Sequence, residues 1–178
     1  GEESFGSMTG DFVRDKDSCG SILTACEIAA WCKANGTTVY EYMIEIYKEV
    51  GFYYEGLINV VRKGRTGAEE ITQMMSDFRS NPPKEIAGSP VEEVKDFKEQ
   101  TCFVVSKNEK RVMDDIPKSN VLIFYTQDGT KVCVRPSGTE PKIKFYVSVK
   151  DSITSKEDFV AKLPVLEAKI AKVKQDLN

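Results

Sequence analysis

Apolar and polar positions alternate near the end of the chain, as expected for a strand with one buried face. The clearest case is residues 142–149, where apolar side chains occupy every second position. Shorter runs rich in valine, isoleucine and aromatic residues predict further strands. These candidates cover residues 52–62, 91–97, 102–105, 121–127 and 131–135. The Asp128-Gly129 pair between the last two predicts a two-residue hairpin turn.

Four other segments repeat their apolar residues at the three- and four-residue spacing of a helix. They cover residues 18–34, 39–50, 67–79 and 156–177. Thr38 with Glu41 has the spacing of a capping box and predicts the start of the second helix. Thr66 with Glu69 predicts the same arrangement at the third. Pro164 lies inside the last helix and predicts a kink or a restart there.

The order of these elements predicts an α+β fold in two parts. Helices fill residues 1–51 after an initial loop, whereas strands dominate residues 52–178. The second part is therefore expected to contain a mixed or antiparallel sheet of four or five strands, packed by two helices. A boundary near residue 51 separates it from the helical part.

Composition narrows the range of functions. The 178 residues are 40% hydrophobic and 30% charged, as in a soluble globular protein, and no apolar run is long enough to span a membrane. A net charge of −3 disfavours nucleic-acid binding. Five cysteines without a C-x-x-C pair predict reduced thiols that fill the core of a cytoplasmic protein. The lack of histidine excludes histidine catalysis and histidine-bound zinc.

The candidate chemistry is concentrated in residues 135–141, which read Arg-Pro-Ser-Gly-Thr-Glu-Pro between two predicted strands. Arginine offers a planar fork for two phosphate oxygens, hydroxyl groups donate hydrogen bonds, and glycine lets backbone N–H groups approach an anion. Residues 131–150 contain five basic residues and one acidic residue. This local excess of positive charge suits a small anion better than a polymer.

This loop resembles the phosphate-binding loop in the C-terminal domain of the α-D-phosphohexomutases, the phosphoglucomutase/phosphomannomutase family. Residues 1–6, Gly-Glu-Glu-Ser-Phe-Gly, resemble the family's sugar-recognition loop, and residues 13–17 resemble the segment that follows it. The two motifs occur in family order. The resemblance implies a C-terminal fragment: residues 1–51 match the tail of the third, α/β domain, and residues 52–178 match the fourth domain.

The resemblance also implies roles for individual residues. Matching positions in the family hold the substrate phosphate that is distant from the reacting group; here they are Arg135, Ser137, Gly138 and Thr139. Lys144 is a further phosphate-binding candidate, because alternation places it on the strand face opposite the core. A solvated strand face is the alternative for that lysine.

A second set of matching positions lies near the start of the chain. Glu2 and Ser4 match residues that hydrogen-bond sugar hydroxyls, and Lys16 matches a lysine close to the bound sugar phosphate. Asp15 and Asp17 lack the third aspartate and the arginine of the family's metal loop. No metal site is therefore expected in this chain.

The parent enzyme implied by the resemblance is an isomerase that interconverts hexose 1-phosphates and hexose 6-phosphates. It uses a phosphoserine, Mg²⁺ and a bisphosphate intermediate, and both catalytic loops belong to upstream domains. The implied ligands are glucose 1-phosphate, glucose 6-phosphate and glucose 1,6-bisphosphate, and the implied partners are the upstream domains. This chain alone is expected to bind substrate without catalysis and to bind neither nucleic acid nor membrane.

Two alternatives to the mutase fragment remain open from the residues themselves. One is a stand-alone sugar-phosphate-binding module without catalysis. The other is an α+β domain whose basic loop is a solvated turn that binds nothing specific. Within the family, mannose, pentose or glucosamine phosphates are alternatives to glucose phosphates.

Overall fold

The computed structural model describes residues 7–8, 10–12, 14–64 and 66–177. A short 3-10 turn at Val105–Lys107 interrupts the strands. The helices and strands, in chain order, are α1 (Ser18–Ala34), α2 (Val39–Val50), β1 (Phe52–Val61), α3 (Gly67–Ser80), β2 (Glu85–Ile86), β3 (Ser89–Asp96), β4 (Thr101–Val104), β5 (Glu109–Val112), β6 (Leu122–Thr126), β7 (Lys131–Pro136), β8 (Lys142–Asp151) and α4 (Lys156–Asp176).

The strands form one antiparallel sheet, and the predicted α+β class is confirmed. Its strand order is β1-β8-β7-β6-β3-β4-β5, and β2 pairs with β3 beside this path. The sheet is larger than the four or five strands expected from the sequence. All four side chains of the edge strand β5 are exposed, so no apolar alternation marks it, and β2 has only two residues.

The hydrophobic core lies between one face of the sheet and helices α3 and α4. Val132, Val134 and Phe145 on this inner face are each 0% exposed, as the alternation predicts. Burial of a side chain of this size stabilises the fold by about 1.5–3 kcal/mol. Helix α2 contributes Ile44 to the same core, and α4 is continuous across Pro164.

The local signals at the element ends are confirmed at α2 and wrong at two other places. Thr38 and Glu41 form both hydrogen bonds of a capping box. Thr66 instead has helical backbone angles and makes no cap hydrogen bond. Its hydroxyl donates to the Glu70 carboxylate at 3.1 Å. The β6–β7 turn contains three residues, 127–129, because the Thr126 N–H donates to the Thr130 carbonyl at 3.0 Å.

Helix α1 exposes most of its apolar surface. Ile22 is 64% exposed and Leu23 61%, and contact with α2 includes the Trp31 and Tyr42 rings, whose centroids are 5.0 Å apart. Two cysteines of this helix, Cys19 and Cys26, are exposed. The expectation that all five cysteines fill the core is therefore wrong for these two, which lie on helix faces that the described residues leave uncovered.

Candidate phosphate-binding site

The candidate loop connects β7 and β8, which are neighbouring interior strands of the sheet. Arg135 lies opposite Lys144 in the strand register, one position along from the buried pair Val134 and Phe145. Alternation therefore places Arg135 and Lys144 together on the outer face of the sheet, the face opposite the core. The register brings together two cations that are nine positions apart in the sequence.

Hydrogen bonds within the loop organise its backbone. The Ser137 N–H donates to the Lys142 carbonyl at 2.8 Å and closes the loop. The Ser137 hydroxyl oxygen accepts from the N–H groups of Thr139 at 3.4 Å and Glu140 at 3.3 Å. Both bonds are long, so an anion oxygen in place of this hydroxyl would form stronger, charge-assisted bonds with the same two donors.

The exit of the loop is braced by the segment that joins β1 to α3. The Arg62 N–H donates to the Pro141 carbonyl at 2.9 Å. A Cβ atom on Gly67 would lie 2.3 Å from the Arg62 carbonyl oxygen and 3.2 Å from the Pro141 Cβ atom. Glycine at this position therefore permits the close approach that supports the end of the loop.

A cavity of about 570 Å³ opens beside the loop. It is lined by Arg135, Pro136, Ser137, Gly138, Thr139, Glu140, Lys142, Lys144 and Tyr146. The structure thus brings together all five residues predicted to bind phosphate. Lys142 and Tyr146 are additions, and the signal that identifies them is the alternation that puts them on the same strand face as Lys144.

The charges around this cavity favour an anion. It is lined by three cationic side chains and one carboxylate, that of Glu140. The Lys142 ammonium lies 2.6 Å from that carboxylate and donates a hydrogen bond that holds the pKa of Glu140 below its usual value. Glu140 is therefore ionised at neutral pH and offsets part of the positive charge, and cations still outnumber carboxylates in the lining of the cavity.

Side-chain contacts position Arg135 and Lys144 differently. The Lys144 ammonium lies 5.7 Å from the centroid of the Tyr146 ring, a cation–π distance. Arg135, an exposed side chain, has no ion-pair partner within the described residues. Its guanidinium therefore keeps its five donors for a ligand.

Gly138 lies in open space at the tip of the loop. An added Cβ atom would have no neighbour within 4 Å, and the residue does not have a positive φ angle. The loop conformation therefore does not require glycine at this position. What glycine provides is unobstructed access to the backbone N–H groups that follow it.

The residues predicted to bind sugar are not brought to this cavity by the described part of the chain. Glu2 and Ser4 lie outside the described residues. Lys16 is described, but it does not line the cavity, and its ammonium lies 3.3 Å from the exposed Asp15 carboxylate. The sugar-binding assignments of all three residues remain predictions.

The described residues also bear on metal binding and on membrane insertion. Among the described residues, no group of three or more aspartate, glutamate or cysteine side chains could hold a metal ion. The residues present there do not fit the Mg²⁺ that the resemblance implies for the parent enzyme. No helix within the described ranges is long and apolar enough to cross a membrane.

Comparison with known proteins decides the family. Residues 57–163 match the family described as "Phosphoglucomutase/phosphomannomutase, C-terminal domain". The chain belongs to this family. A phosphoglucomutase of Staphylococcus aureus strain MRSA252 is 38% identical over 149 residues, which are 84% of this chain and 27% of that protein. The phosphoglucomutase of the bovine strain RF122 is 37% identical over the same length.

The matches cover only a part of each relative. The chain spans 27% of the length of the Staphylococcus phosphoglucomutases. A crystal structure of parafusin, a phosphoglucomutase from Paramecium in its open form, aligns with 98% of this chain and 29% of its own, at 17% identity and a TM-score of 0.49. The family assignment rests on the sequence matches.

Proposed function

We propose that this chain is the part of a phosphohexomutase that binds the substrate phosphate distant from the reacting group. The observation that supports this most directly is the cavity of about 570 Å³ that unites the loop with Arg135 and Lys144. In this proposal, the parent protein is an isomerase that interconverts hexose 1-phosphates and hexose 6-phosphates. Glucose 1-phosphate, glucose 6-phosphate and glucose 1,6-bisphosphate are the proposed ligands.

Each group at the loop has a role that follows from its chemistry. Arg135 offers two parallel N–H donors to two phosphate oxygens, and Lys144 adds a point charge from the next strand. The N–H groups of Thr139 and Glu140 move from the Ser137 hydroxyl to the ligand, which frees that hydroxyl to donate to it. Together these groups hold one end of the sugar and orient the other end for phosphoryl transfer.

We further propose the division of the chain into residues 1–51 as the tail of the third domain and residues 52–178 as the fourth. The exposed apolar surface of α1 is where the upstream domains of the parent would pack, because large apolar patches mark interaction surfaces. Within that assembly, Glu2 and Ser4 are proposed to contact sugar hydroxyls, and Lys16 is proposed to lie close to the bound sugar phosphate. The phosphoserine and Mg²⁺ would be held by those upstream domains.

The test is a titration of this chain with glucose 1,6-bisphosphate, followed through its backbone amides by NMR. We expect saturable shifts centred on Gly138 and Thr139. Arg135→Ala should weaken binding about 10- to 100-fold, because loss of a hydrogen bond from a charged group costs about 1.5–3 kcal/mol. Arg111→Ala is the matched control, since Arg111 is exposed and paired with Glu109 at 3.0 Å, away from the cavity.

The outcomes separate the proposal from the alternative in which the loop binds nothing specific. Equal binding by the Arg135→Ala and Arg111→Ala variants would contradict the phosphate-binding role. Turnover of glucose 1-phosphate by the purified chain, with contaminating mutase excluded, would contradict the absence of catalysis.

A further inference from the structure

A second cavity lies between α3 and the phosphate loop, and the proposed sugar-phosphate binding does not use it. Its volume is about 420 Å³, within the range of small-molecule sites. We call it the α3 cavity. Its lining includes Ile71, Met75, Arg79, Lys98, Asn120 and Ser137. One helix face, the loop and two turns at the same end of the sheet thus enclose it.

The floor of the α3 cavity is apolar and its rim is polar. Ile71 and Met75, which are 5% and 2% exposed, form the floor, and Pro136 and Pro141 add further apolar lining. Arg79, Lys98 and Asn120 contribute polar groups. A ligand that fills this site therefore needs an apolar body and a polar group that accepts hydrogen bonds.

The polar groups are held in place by Asp96, which is 9% exposed. Its carboxylate accepts from the Arg79 Nε–H at 3.0 Å and from the Lys98 backbone N–H at 2.9 Å. An Nη2–H of Arg79 donates to the Asn120 side-chain oxygen at 2.5 Å. One carboxylate therefore fixes both the guanidinium and the turn that carries the Lys98 side chain.

Positive charge is in excess at this rim. The carboxylate of Asp96 offsets the charge of Arg79, and Lys142 offsets that of Glu140. Lys98 is exposed and has no ion-pair partner in the part of the chain that the structure describes. Since the Asn120 oxygen accepts from Arg79, its amide NH₂ remains a donor for a ligand.

We propose that the α3 cavity binds a small anion that carries an apolar group, either a carboxylate or a phosphate monoester. The anionic group pairs with Lys98 and accepts from Asn120, and the apolar group covers Ile71 and Met75. This site is separate from the sugar-phosphate cavity, although Ser137 and Glu140 line both.

The test uses phenyl phosphate and benzoate as probes, followed by the NMR methyl signals of Ile71 and Met75. We expect saturable shifts with at least one probe. The probe that binds more tightly shows whether the site prefers a phosphate monoester or a carboxylate. Lys98→Ala should weaken this binding about tenfold, because it removes a charged donor. Lys174→Ala, an exposed lysine on α4, is the matched control.

Two further variants keep the result interpretable. Ser76→Leu changes no charge and places an apolar side chain on the exposed helix position that lines the cavity, so it should block the probes. Arg135→Ala should leave the methyl shifts intact, although it weakens the binding of glucose 1,6-bisphosphate at the phosphate loop. The inference fails when neither probe shifts the methyl signals, when Lys98→Ala has no effect, or when Arg135→Ala abolishes the shifts.

Discussion

Asp128 in the β6–β7 turn is expected to be a strong determinant of stability. Its Oδ1 atom accepts from the Thr126 hydroxyl at 2.7 Å, the Thr130 hydroxyl at 2.8 Å and the Thr130 N–H at 3.1 Å. Its Oδ2 atom lies 2.6 Å from the Lys169 ammonium of α4. The carboxylate thus ties the hairpin turn to the helix that covers the sheet.

The magnitude follows from these four contacts. Asp128→Asn keeps the shape but removes the charge, which weakens three charge-assisted hydrogen bonds by roughly 0.5 kcal/mol each. The pair with Lys169 adds about 1 kcal/mol at most, since the Asp128 side chain is 38% exposed and the pair is screened by solvent. We therefore expect a loss of about 1.5–2.5 kcal/mol at pH 7.

The pH dependence supplies an independent check. Burial alone would raise the pKa of Asp128, but hydrogen bonds from Lys169, Thr126 and Thr130 outweigh it and hold the pKa well below its usual value. A pKa lower in the folded than in the unfolded state contributes stability that is present above the unfolded pKa, about 3.9 for aspartate. That contribution is lost as the pH falls through the folded pKa.

Urea denaturation at several pH values measures both effects. The difference between wild type and Asp128→Asn should be constant from about pH 5 to 8 and shrink below about pH 4. Asp115→Asn, an exposed aspartate between β5 and β6, is the matched control and should change stability by less than about 0.5 kcal/mol. A pH 7 loss no larger than that of the control, or a difference that stays constant in acid, would refute the reasoning.

Three further predictions follow from burial and local geometry. Phe145→Ala should lower the urea-unfolding free energy by about 3–5 kcal/mol, because the ring is 0% exposed. Gly67→Ala should lower the melting temperature, since its Cβ atom would clash with a carbonyl oxygen, whereas Gly138→Ala should leave it unchanged. Cys19 is exposed and should react with a thiol reagent faster than Cys133, whose pKa is raised by burial; equal rates by mass spectrometry would contradict this.

The sequence predicts the fold best where a buried face imposes a period. Residues 142–149 alternate because every second side chain of β8 contacts α3, α4 or neighbouring core side chains. Strand β5 has the sequence Glu-Lys-Arg-Val and no buried side chain, so it carries no such signal. The length of the β6–β7 turn depends on the backbone pairing of Thr126 with Thr130. The Asp128-Gly129 pair predicts a turn but does not by itself determine its length.

The candidate site is predictable to a similar extent. The composition of residues 135–141 identifies the loop, since arginine, hydroxyl groups and glycine are concentrated there. The cavity, however, depends on the register that places Arg135 opposite Lys144 and on the Arg62–Pro141 bond that braces the exit. The Arg62–Pro141 bond links residues that are distant in sequence, so no local pattern reveals it.

The pairing of β1 with β8 has a consequence for how the chain reaches its native state. The two ten-residue strands are paired along their full length, from Phe52–Asp151 to Val61–Lys142, yet every other strand lies between them in the sequence. Pairing across so long a separation is slow, because a large loop must close before its contacts form. During synthesis β1 therefore remains unpaired until β8 has been made. The ability to hold a phosphate is acquired in the same late step, since β8 supplies one side of the cavity.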